Sequence, residues 1–366
     1  MAGSMFGNIF KITTWGESHG EGIGVVVDGC PAGLEISEEY IQTYLDRRKP
    51  GQSGYTTQRK EDDTVKILSG VFEGRTTGTP ISMIVYNKTQ RSSDYSEIAG
   101  YYRPGHADYT FDEKYGFRDY RGGGRSSGRE TIGRVAAGAI ACKLLSELGI
   151  TVAAYAKSIG DVEIDYNNFD IRERDNNPVA MPDMQASKRA EELLKEKMAK
   201  KDSVGGIVEC VVKNMKTGIG EPVFDKLDAC LAKAVMSIGA VKGVEIGAGF
   251  KVSEMSGSEN NDNFYMENDR VIKRTNNAGG ILGGISDGSD IVLRAAFKPT
   301  PSIFREQETI NRNHENIKVE IKGRHDPIIV PRAVVVVEAM TALTVSDLLL
   351  LSMTSTMDRI KKLFID

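Results

Sequence analysis

The chain has 366 residues, of which 40% are hydrophobic and 27% are charged, as in an ordinary globular protein. Its formal net charge is −4, from 47 lysines and arginines against 51 aspartates and glutamates. An acidic chain without a basic tail is not expected to bind nucleic acid, because that binding depends on neutralising phosphates. The four cysteines, Cys30, Cys142, Cys210 and Cys230, are far apart in sequence. Their spacing indicates reduced thiols and a cytoplasmic location.

The sequence contains strand and helix patterns throughout, without strict alternation between them. Strands are predicted at residues 23–28, 65–72, 81–86, 206–212, 290–297 and 317–321, where apolar residues often alternate with polar ones. Helices are predicted at residues 37–48, 131–148, 186–200, 224–237 and 332–352. Ser37 is the expected N-cap of the first helix, and Gly149 the expected end of the second. This order does not favour a doubly wound parallel sheet.

The remaining stretches contain no repeat and no linker that would divide the chain. Polar residues 253–270 are predicted to form a surface loop. The most apolar stretch, residues 333–351, contains Glu338 and Asp347. A membrane span rarely tolerates two carboxylates, so this stretch is predicted to be a buried helix. The first ten residues do not resemble a secretory signal. We therefore expect one domain over residues 1–366, with no membrane contact.

Residues 121–130 are the most distinctive part of the sequence. They contain three arginines, four glycines and two serines, and they precede the helix predicted from residue 131. Glycines let backbone N–H groups approach a ligand, and a helix N-terminus favours negative charge. Arginine matches the geometry of phosphate and carboxylate. The segment therefore predicts a pocket for a small anionic molecule.

Three of the four histidines lie in polar turns marked by glycine or proline. His19 is in Glu-Ser-His-Gly, His106 in Arg-Pro-Gly-His-Ala-Asp, and His325 in Gly-Arg-His-Asp-Pro, whereas His314 lacks such surroundings and is expected on the surface. A single histidine in a turn often just bonds to backbone. The repeated pattern favours proton transfer instead. Asp326 could either stabilise its turn or handle a proton.

A second glycine-dense segment covers residues 276–288 and precedes a predicted strand. Glycine-rich loops are costly in entropy, so a ligand or another backbone is expected against it. After the strand comes Lys-Pro-Thr-Pro-Ser at residues 298–302, which also suits a polar ligand. The sequence shows no metal-binding spacing and no Walker or dinucleotide glycine motif. The residues alone therefore indicate an enzyme that acts on a small phosphorylated anion, without a metal.

These motifs, in this order, resemble chorismate synthase over nearly the whole chain. The resemblance rests on Gly7, Thr-Thr-Trp-Gly-Glu-Ser-His-Gly at 13–20, Asp-Arg-Arg-Lys-Pro-Gly at 46–51, Tyr-Thr-Thr-Gln-Arg at 55–59, Arg-Pro-Gly-His-Ala-Asp at 103–108, residues 121–130, Val-Lys-Gly-Val-Glu-Ile-Gly at 241–247, Ala-Gly-Gly-Ile-Leu-Gly-Gly-Ile at 278–285, Lys-Pro-Thr at 298–300 and Gly-Arg-His-Asp-Pro at 323–327. Each motif is weak alone, but the ordered set is specific. One departure is Gly54, where many relatives carry arginine.

The resemblance implies an α+β fold, a single-domain β-α-β sandwich with helices between two antiparallel sheets, assembled as a homotetramer. It also implies the last step of the shikimate pathway. In that reaction, 5-enolpyruvylshikimate-3-phosphate loses phosphate and a ring hydrogen in an anti-1,4-elimination to give chorismate. Reduced FMN is required although there is no net redox change. NADPH would act only indirectly, through an external flavin reductase.

The resemblance also implies roles for individual residues. His19 would protonate the departing phosphate, His106 would stabilise the reduced flavin, and Asp326 would assist hydrogen removal. Ser18 and Ser127 would relay protons. The residues implied in FMN binding are Arg125, Ser126, Ser127, Gly239, Ala240, Gly283, Lys298, Pro299, Thr300, Pro301, Ser302 and Arg324. Those implied in substrate binding are Arg48, Arg129 and Arg134.

Two other functions fit parts of the pattern. A phosphatase or phosphotransferase could use the same arginine pocket, but the sequence lacks its metal carboxylates and nucleotide loop. A non-catalytic flavin- or anion-binding protein would explain the glycines and arginines. It would not explain two histidines and an aspartate in matching turns.

Overall fold

The computed structural model describes residues 3–52, 54–55, 61–88, 97–121, 123–321 and 326–365. The helices are α1 (Glu38–Arg48), α2 (Asp108–Tyr115), α3 (Thr131–Glu147), α4 (Met184–Ala199), α5 (Leu227–Met236), α6 (Gly257–Asn260), α7 (Val330–Leu351) and α8 (Met357–Phe364). The strands are β1 (Met5–Phe6), β2 (Lys11–Gly16), β3 (Gly22–Asp28), β4 (Val65–Ile67), β5 (Val71–Phe72), β6 (Arg75–Thr76), β7 (Ile81–Tyr86), β8 (Thr151–Ile159), β9 (Val162–Glu163), β10 (Gly206–Lys213), β11 (Val241–Ile246), β12 (Phe264–Glu267), β13 (Arg270–Lys273), β14 (Ile281–Leu282), β15 (Ile285–Ser286), β16 (Ile291–Phe297), β17 (Glu306–Ile310) and β18 (Asn316–Glu320).

Two five-stranded sheets enclose the main helices. The first has the strand order β1-β2-β3-β7-β4 and the second β11-β16-β10-β8-β9, and all neighbouring strands are antiparallel. Helix α3 packs on β3, α7 packs on β8 and β10, and α3 and α7 pack on each other. One hydrophobic cluster includes buried residues from both sheets and from these helices. The predicted α+β sandwich with helices between antiparallel sheets is confirmed.

Helix α7 lies in the centre of the protein. It is long and apolar enough to cross a membrane, but 83% of its most apolar window is buried inside the protein. Glu338 accepts hydrogen bonds from Arg47 at 2.6 and 3.1 Å and from Arg174 at 3.1 Å. Asp347 accepts from the backbone N–H of Ile9 at 2.7 Å. Buried carboxylates need such partners, so α7 is a core helix, as predicted.

The close crossing of α3 and α7 depends on Gly138. A Cβ on this glycine would lie 2.6 Å from the Cα of Ala339 on α7. We therefore expect Gly138→Ala to destabilise the protein by about 1–3 kcal/mol, because overpacking outweighs the helix propensity gained. Urea unfolding measures the effect. Gly257→Ala is the control, since no atom lies within 4 Å of its Cβ position. Equal unfolding midpoints for the two variants would contradict this prediction.

The five predicted helices are present with ends shifted by up to three residues. Two other predictions need correction. Residues 65–72 form two short strands, β4 and β5, because the chain turns at Gly70 with a φ of 81°. Residues 253–270 are not simply a loop, since they include α6 and β12. Helices α2 and α8 were not predicted, because both have only eight residues.

The glycine-dense segment at residues 276–288 includes the β14–β15 hairpin. Another stretch of backbone lies against it, which was one of the two contacts expected from the sequence, the other being a ligand. A Cβ on Gly279 would lie 2.6 Å from the Cα of Gly247. Gly279 and Gly247 have φ values of 65° and 59°, which glycine adopts without strain. The glycines therefore permit a close backbone contact.

Candidate active site

The segment before α3 folds into two short 3-10 turns, Gly124–Ser126 and Gly128–Glu130. The Ser127 hydroxyl accepts a hydrogen bond from the backbone N–H of Arg129 at 3.3 Å, which caps the second turn. Gly124 has a φ of 49°, a conformation that suits glycine. The glycine turn that leads into a helix at residue 131 is therefore present, as predicted.

Arg125 fastens this segment to β2. Its Nη2 donates to the Thr14 hydroxyl at 2.6 Å, and its Nη1 donates to the Gly16 carbonyl at 3.2 Å. The Ser126 hydroxyl donates to the Gly123 carbonyl at 2.7 Å. Both residues thus shape the loop, and their role in flavin binding stays a prediction.

His19 lies in the turn between β2 and β3. The hydroxyl of the buried Ser18 is 3.2 Å from His19 Nδ1. Hydrogen bonds from Arg121 are the main cause of a lowered pKa at Asp119, and His19 contributes further. A positive charge on His19 would therefore favour the carboxylate form of Asp119.

Asn87 holds the His19 turn in place. Its Nδ2 donates to the carbonyls of Glu17 at 3.0 Å and Gly20 at 2.9 Å. Its Oδ1 accepts from Arg129 Nη2 at 2.8 Å. The side-chain amide of Asn87 therefore connects Arg129, which is predicted to bind substrate, with the turn that carries His19, the predicted general acid.

Arg48 and Arg129 share a buried carboxylate. Asp63 Oδ2 is 2.9 Å from Arg48 Nη2, and Asp63 Oδ1 is 3.1 Å from Arg129 Nη2. Glu61 also pairs with Arg129. We call Arg48, Arg129, Asp63 and Glu61 the arginine cluster. Its arginines are held by carboxylates because buried like charges need such compensation.

The side chain of Arg48 is only 1% exposed. Burial lowers the pKa of its guanidinium, the neighbouring Asp63 raises it, and the charges of Arg332 and Arg129 lower it further. Arginine stays protonated at neutral pH even so. The arginine cluster is therefore a fixed source of positive charge.

Asp326 is joined to the arginine cluster by Arg332, near the start of α7. Arg332 Nη1 is 2.5 Å from Asp326 Oδ2, and Arg332 Nε donates to the Arg48 carbonyl at 3.0 Å. Arg324 and His325, which the sequence places beside Asp326, lie outside the described residues. The predicted Arg324 contact with flavin therefore stays untested.

His106 forms a second group with the segment at residues 298–302. Its Nε2 is 2.9 Å from the Ser302 hydroxyl, and its Nδ1 is 3.0 Å from the Pro104 carbonyl. Lys298 Nζ donates to the Gly105 carbonyl at 2.7 Å. We call His106, Lys298 and Ser302 the histidine cluster. Two motifs nearly 200 residues apart in sequence thus meet in one place.

The turn that carries His106 is stabilised by a buried ion pair. Arg103 donates to Asp108 through Nε and Nη2, both at 2.7 Å, and through its backbone N–H at 3.1 Å. Burial raises the pKa of Asp108, but the bonds and charge of Arg103, with the charge of Arg118, lower it further, so the net shift is downward. Asp108 is therefore a firmly ionised anchor for this turn.

Neighbouring backbone connects the histidine cluster with other predicted residues. The Lys298 N–H donates to the Ala240 carbonyl at 3.0 Å, which places Gly239 and Ala240 beside it. Burial lowers the pKa of Lys298, and the charge of Lys242 lowers it further.

A bridge through residues 203 and 204 leads from this segment towards Asp326. The Ser203 hydroxyl donates to the Thr300 carbonyl at 2.7 Å, and the Val204 N–H donates to the Pro327 carbonyl at 3.2 Å. The arginine cluster, Asp326 and the histidine cluster therefore form one connected polar region.

Two predicted residues lie apart from these contacts. Gly283 lies near the first residue of α5, because the neighbouring Gly284 carbonyl accepts a hydrogen bond from the Leu227 N–H. Gly239, in contrast, follows the end of α5. The ten-residue helix spans about 15 Å. Arg134 pairs with Glu130 at 2.9 Å and donates to the Ser237 hydroxyl at 2.6 Å. Binding by both residues stays a prediction.

Several residues of this region were missed by sequence reasoning. Asp63, Asn87 and Arg332 connect the predicted residues but occur in unremarkable sequence. Asp63 has a φ of 45°, an uncommon backbone conformation that only a structure reveals. Their roles depend on partners far away in sequence, so no local pattern could have found them.

Comparison with known proteins shows the family of this chain. The family model described as chorismate synthase matches residues 10–350. Chorismate synthase of Lachnospira eligens is 69% identical over 364 residues and covers 100% of both chains. That of Methanosarcina mazei is 56% identical over 355 residues and covers 96% of this chain and 97% of its own. A solved structure, entitled Crystal Structure of Chorismate Synthase, superposes with a TM-score of 0.77 at 32% identity and covers 98% of this chain and 97% of its own.

The family match and the relatives span nearly the full chain, so the resemblance read from the ordered motifs is confirmed. The chain belongs to the chorismate synthase family.

Proposed function

We propose that the connected polar region is the active site for the reaction of this family, with reduced FMN as cofactor. The chain converts 5-enolpyruvylshikimate-3-phosphate into chorismate, as its family membership establishes. The observation that supports this location is the arginine cluster, which lies between the His19 turn and Asp326. A phosphorylated dicarboxylic acid needs fixed positive charge with proton-transferring groups close by.

The residues near the histidine cluster suit a flavin phosphate and ring system. The buried Thr300 hydroxyl oxygen has no hydrogen-bond partner among the residues that the structure describes. A Cβ on Gly239 would meet no atom within 4 Å, so there is open space beside it. Lys298 and Ser302 supply further donors. These residues would hold reduced FMN, which when bound would lend an electron that helps phosphate to leave and then regain it.

Arg48 and Arg129 would bind the anionic groups of the substrate. Both side chains are at most 10% exposed, and both keep carboxylate partners that fix their positions. Preorganised charge in a buried place stabilises a developing phosphate anion more than the same charge in water does. The arginine cluster would therefore orient the leaving group towards the His19 turn.

His19 would donate a proton to the departing phosphate. The Ser18 hydroxyl is 3.2 Å from Nδ1, so the ring is held in its turn. His106, bonded to Ser302, would present a proton donor to the bound flavin. Asp326 would assist removal of the ring hydrogen. Ser127, in the glycine turn before α3, would relay protons.

The family resemblance also supports proposals for assembly and for the supply of reduced flavin. We propose a homotetramer, because large apolar side chains such as Phe224, Phe250 and Met266 are 89%, 77% and 64% exposed in the protomer, and exposed apolar patches often mark interfaces. An external flavin reductase, using NADPH, would supply reduced FMN in the cytoplasm.

Flavin dependence is tested by phosphate release from 5-enolpyruvylshikimate-3-phosphate under anaerobic conditions. We expect release with reduced FMN and none without it. We also expect oxidised FMN to bind more tightly when substrate is present, because the two would share one pocket. Full turnover in a strictly flavin-free assay would contradict the proposed cofactor.

The same assay separates the alternatives. A phosphatase would release phosphate without flavin and would not form chorismate. A non-catalytic flavin-binding protein would bind FMN and release no phosphate under either condition.

A further inference from the structure

We infer that Arg332 is a positioning residue for catalysis, which holds the Asp326 carboxylate in place relative to the substrate arginines. The inference rests on the proposed function of Asp326. Arg332 itself belongs to none of the sequence motifs that indicated the site.

Arg332 contacts two different parts of the proposed site. Nη1 is 2.5 Å from Asp326 Oδ2, and Nε donates to the backbone carbonyl of Arg48 at 3.0 Å. The Arg332 side chain is 19% exposed and that of Asp326 is 12% exposed, so water screens this pair only partly. A planar guanidinium with two bonds in different directions fixes distance and angle together.

The contact with Arg48 has a structural reason. Arg48 is the last residue of α1. Carbonyls in the last turn of a helix have no partner within the helix, and positive charge is favoured there. Arg332 satisfies one of these carbonyls. The end of α1, which carries a substrate arginine, is therefore tied to Asp326 through one side chain.

Arg332 is held by its own helix. It lies near the start of α7, whose first turn contains a proline, and α7 is the buried core helix. A side chain on a rigid element positions its partner more closely than one on a loop. Asp326 itself precedes α7 outside any helix or strand, so side-chain contacts such as this one contribute to its orientation.

Loss of Arg332 should therefore affect turnover more than substrate binding. The Arg48 guanidinium keeps separate partners, with Nη2 at 2.9 Å from Asp63 and Nη1 donating to the Gly128 carbonyl at 3.2 Å. We expect Arg332→Gln to lower kcat about 10- to 100-fold, because small displacements of catalytic groups cost that much. KM should change less than about threefold, since the ground-state contacts stay.

Arg174→Gln is a matched control. Arg174 is 13% exposed and bonds the carboxylates of Glu338 at 3.1 Å and Asp175 at 2.8 Å, together with the backbone carbonyl of Ala154 at 3.0 Å. Its contacts therefore resemble those of Arg332 but lie outside the proposed site. We expect both variants to lower the melting temperature, and only Arg332→Gln to lower kcat strongly.

A double-mutant cycle tests whether Arg332 acts through Asp326. In the Asp326→Asn background, Arg332→Gln should reduce kcat by less than about twofold, because the group that it positions is already lost. Arg332→Lys keeps the charge and should recover part of the kcat. If Arg332→Gln does not fold, Arg332→Lys tests the inference instead. We expect it to lower kcat about three- to tenfold, because lysine lacks the planar guanidinium group.

Unchanged kcat in Arg332→Gln or in Arg332→Lys, or losses that add fully with Asp326→Asn, would overturn the inference. The proposed function fails in a different way, namely if the unmodified protein with reduced FMN releases no phosphate. The two failures are therefore distinguishable.

Discussion

Replacing His19 with alanine should give the largest loss of activity in this protein. We expect turnover to fall by ~10²–10⁴-fold, which is the usual contribution of general acid catalysis. The alanine cannot donate a proton to the departing phosphate, while the arginine cluster still binds substrate. Flavin binding should stay close to normal, because the histidine cluster is made by other residues. Steady-state phosphate release with reduced FMN, measured across the pH range, checks the prediction.

His314→Asn is the control for loss of a histidine. His314 lies in the turn between β17 and β18 with a φ of 61°, which asparagine tolerates. The activity of the His314→Asn variant should equal that of the unmodified protein. If His19→Ala releases phosphate at a near-normal rate at every pH, the assignment of His19 as general acid is wrong.

Asp326→Asn should cause the second large loss. Asparagine has nearly the same shape, and its carbonyl can still accept a hydrogen bond from Arg332, but an amide cannot take up a proton as a carboxylate does. We expect turnover to fall by ~10²–10⁴-fold. Substrate binding should be unchanged or tighter, because a negative charge near an anionic substrate is removed.

The two halves of the reaction can be separated by isotope. With substrate deuterated at the ring position that loses hydrogen, Asp326→Asn should show a larger isotope effect than the unmodified protein, since hydrogen removal becomes slower. Asp170→Asn, in an exposed pair with Arg172, should change neither rate nor isotope effect. Normal turnover of Asp326→Asn would leave Asp326 only a structural role in its turn.

Local sequence chemistry was sufficient for much of the fold. Ser37 accepts a hydrogen bond from the backbone N–H of Tyr40 as the N-cap of α1, and Gly149 ends the α3 region with a φ of 73°. The carboxylates of Glu338 and Asp347 correctly indicated a core helix rather than a membrane span. Such signals are readable because capping, glycine turns and burial patterns act over a few residues.

The order of the motifs also identified the family, and several predicted residues do meet. His106 and Ser302 are in contact, and Arg48 and Arg129 share Asp63. The chemistry of each segment was readable from its residue types, because arginine, histidine and glycine restrict what a turn can bind. Which segments meet was implied only by the resemblance.

The sequence by itself thus determined the five longest helices, the chemistry of the turns and the family. Only the tertiary structure decided how the turns are joined. Asn87 connects the His19 turn with Arg129, and Arg332 connects Asp326 with Arg48. The tertiary structure also placed Gly283 at the opposite end of α5 from Gly239. The physical reason is that a buried charge needs a partner at a fixed distance and angle, and packing of the sheets and helices, not sequence spacing, brings that partner near.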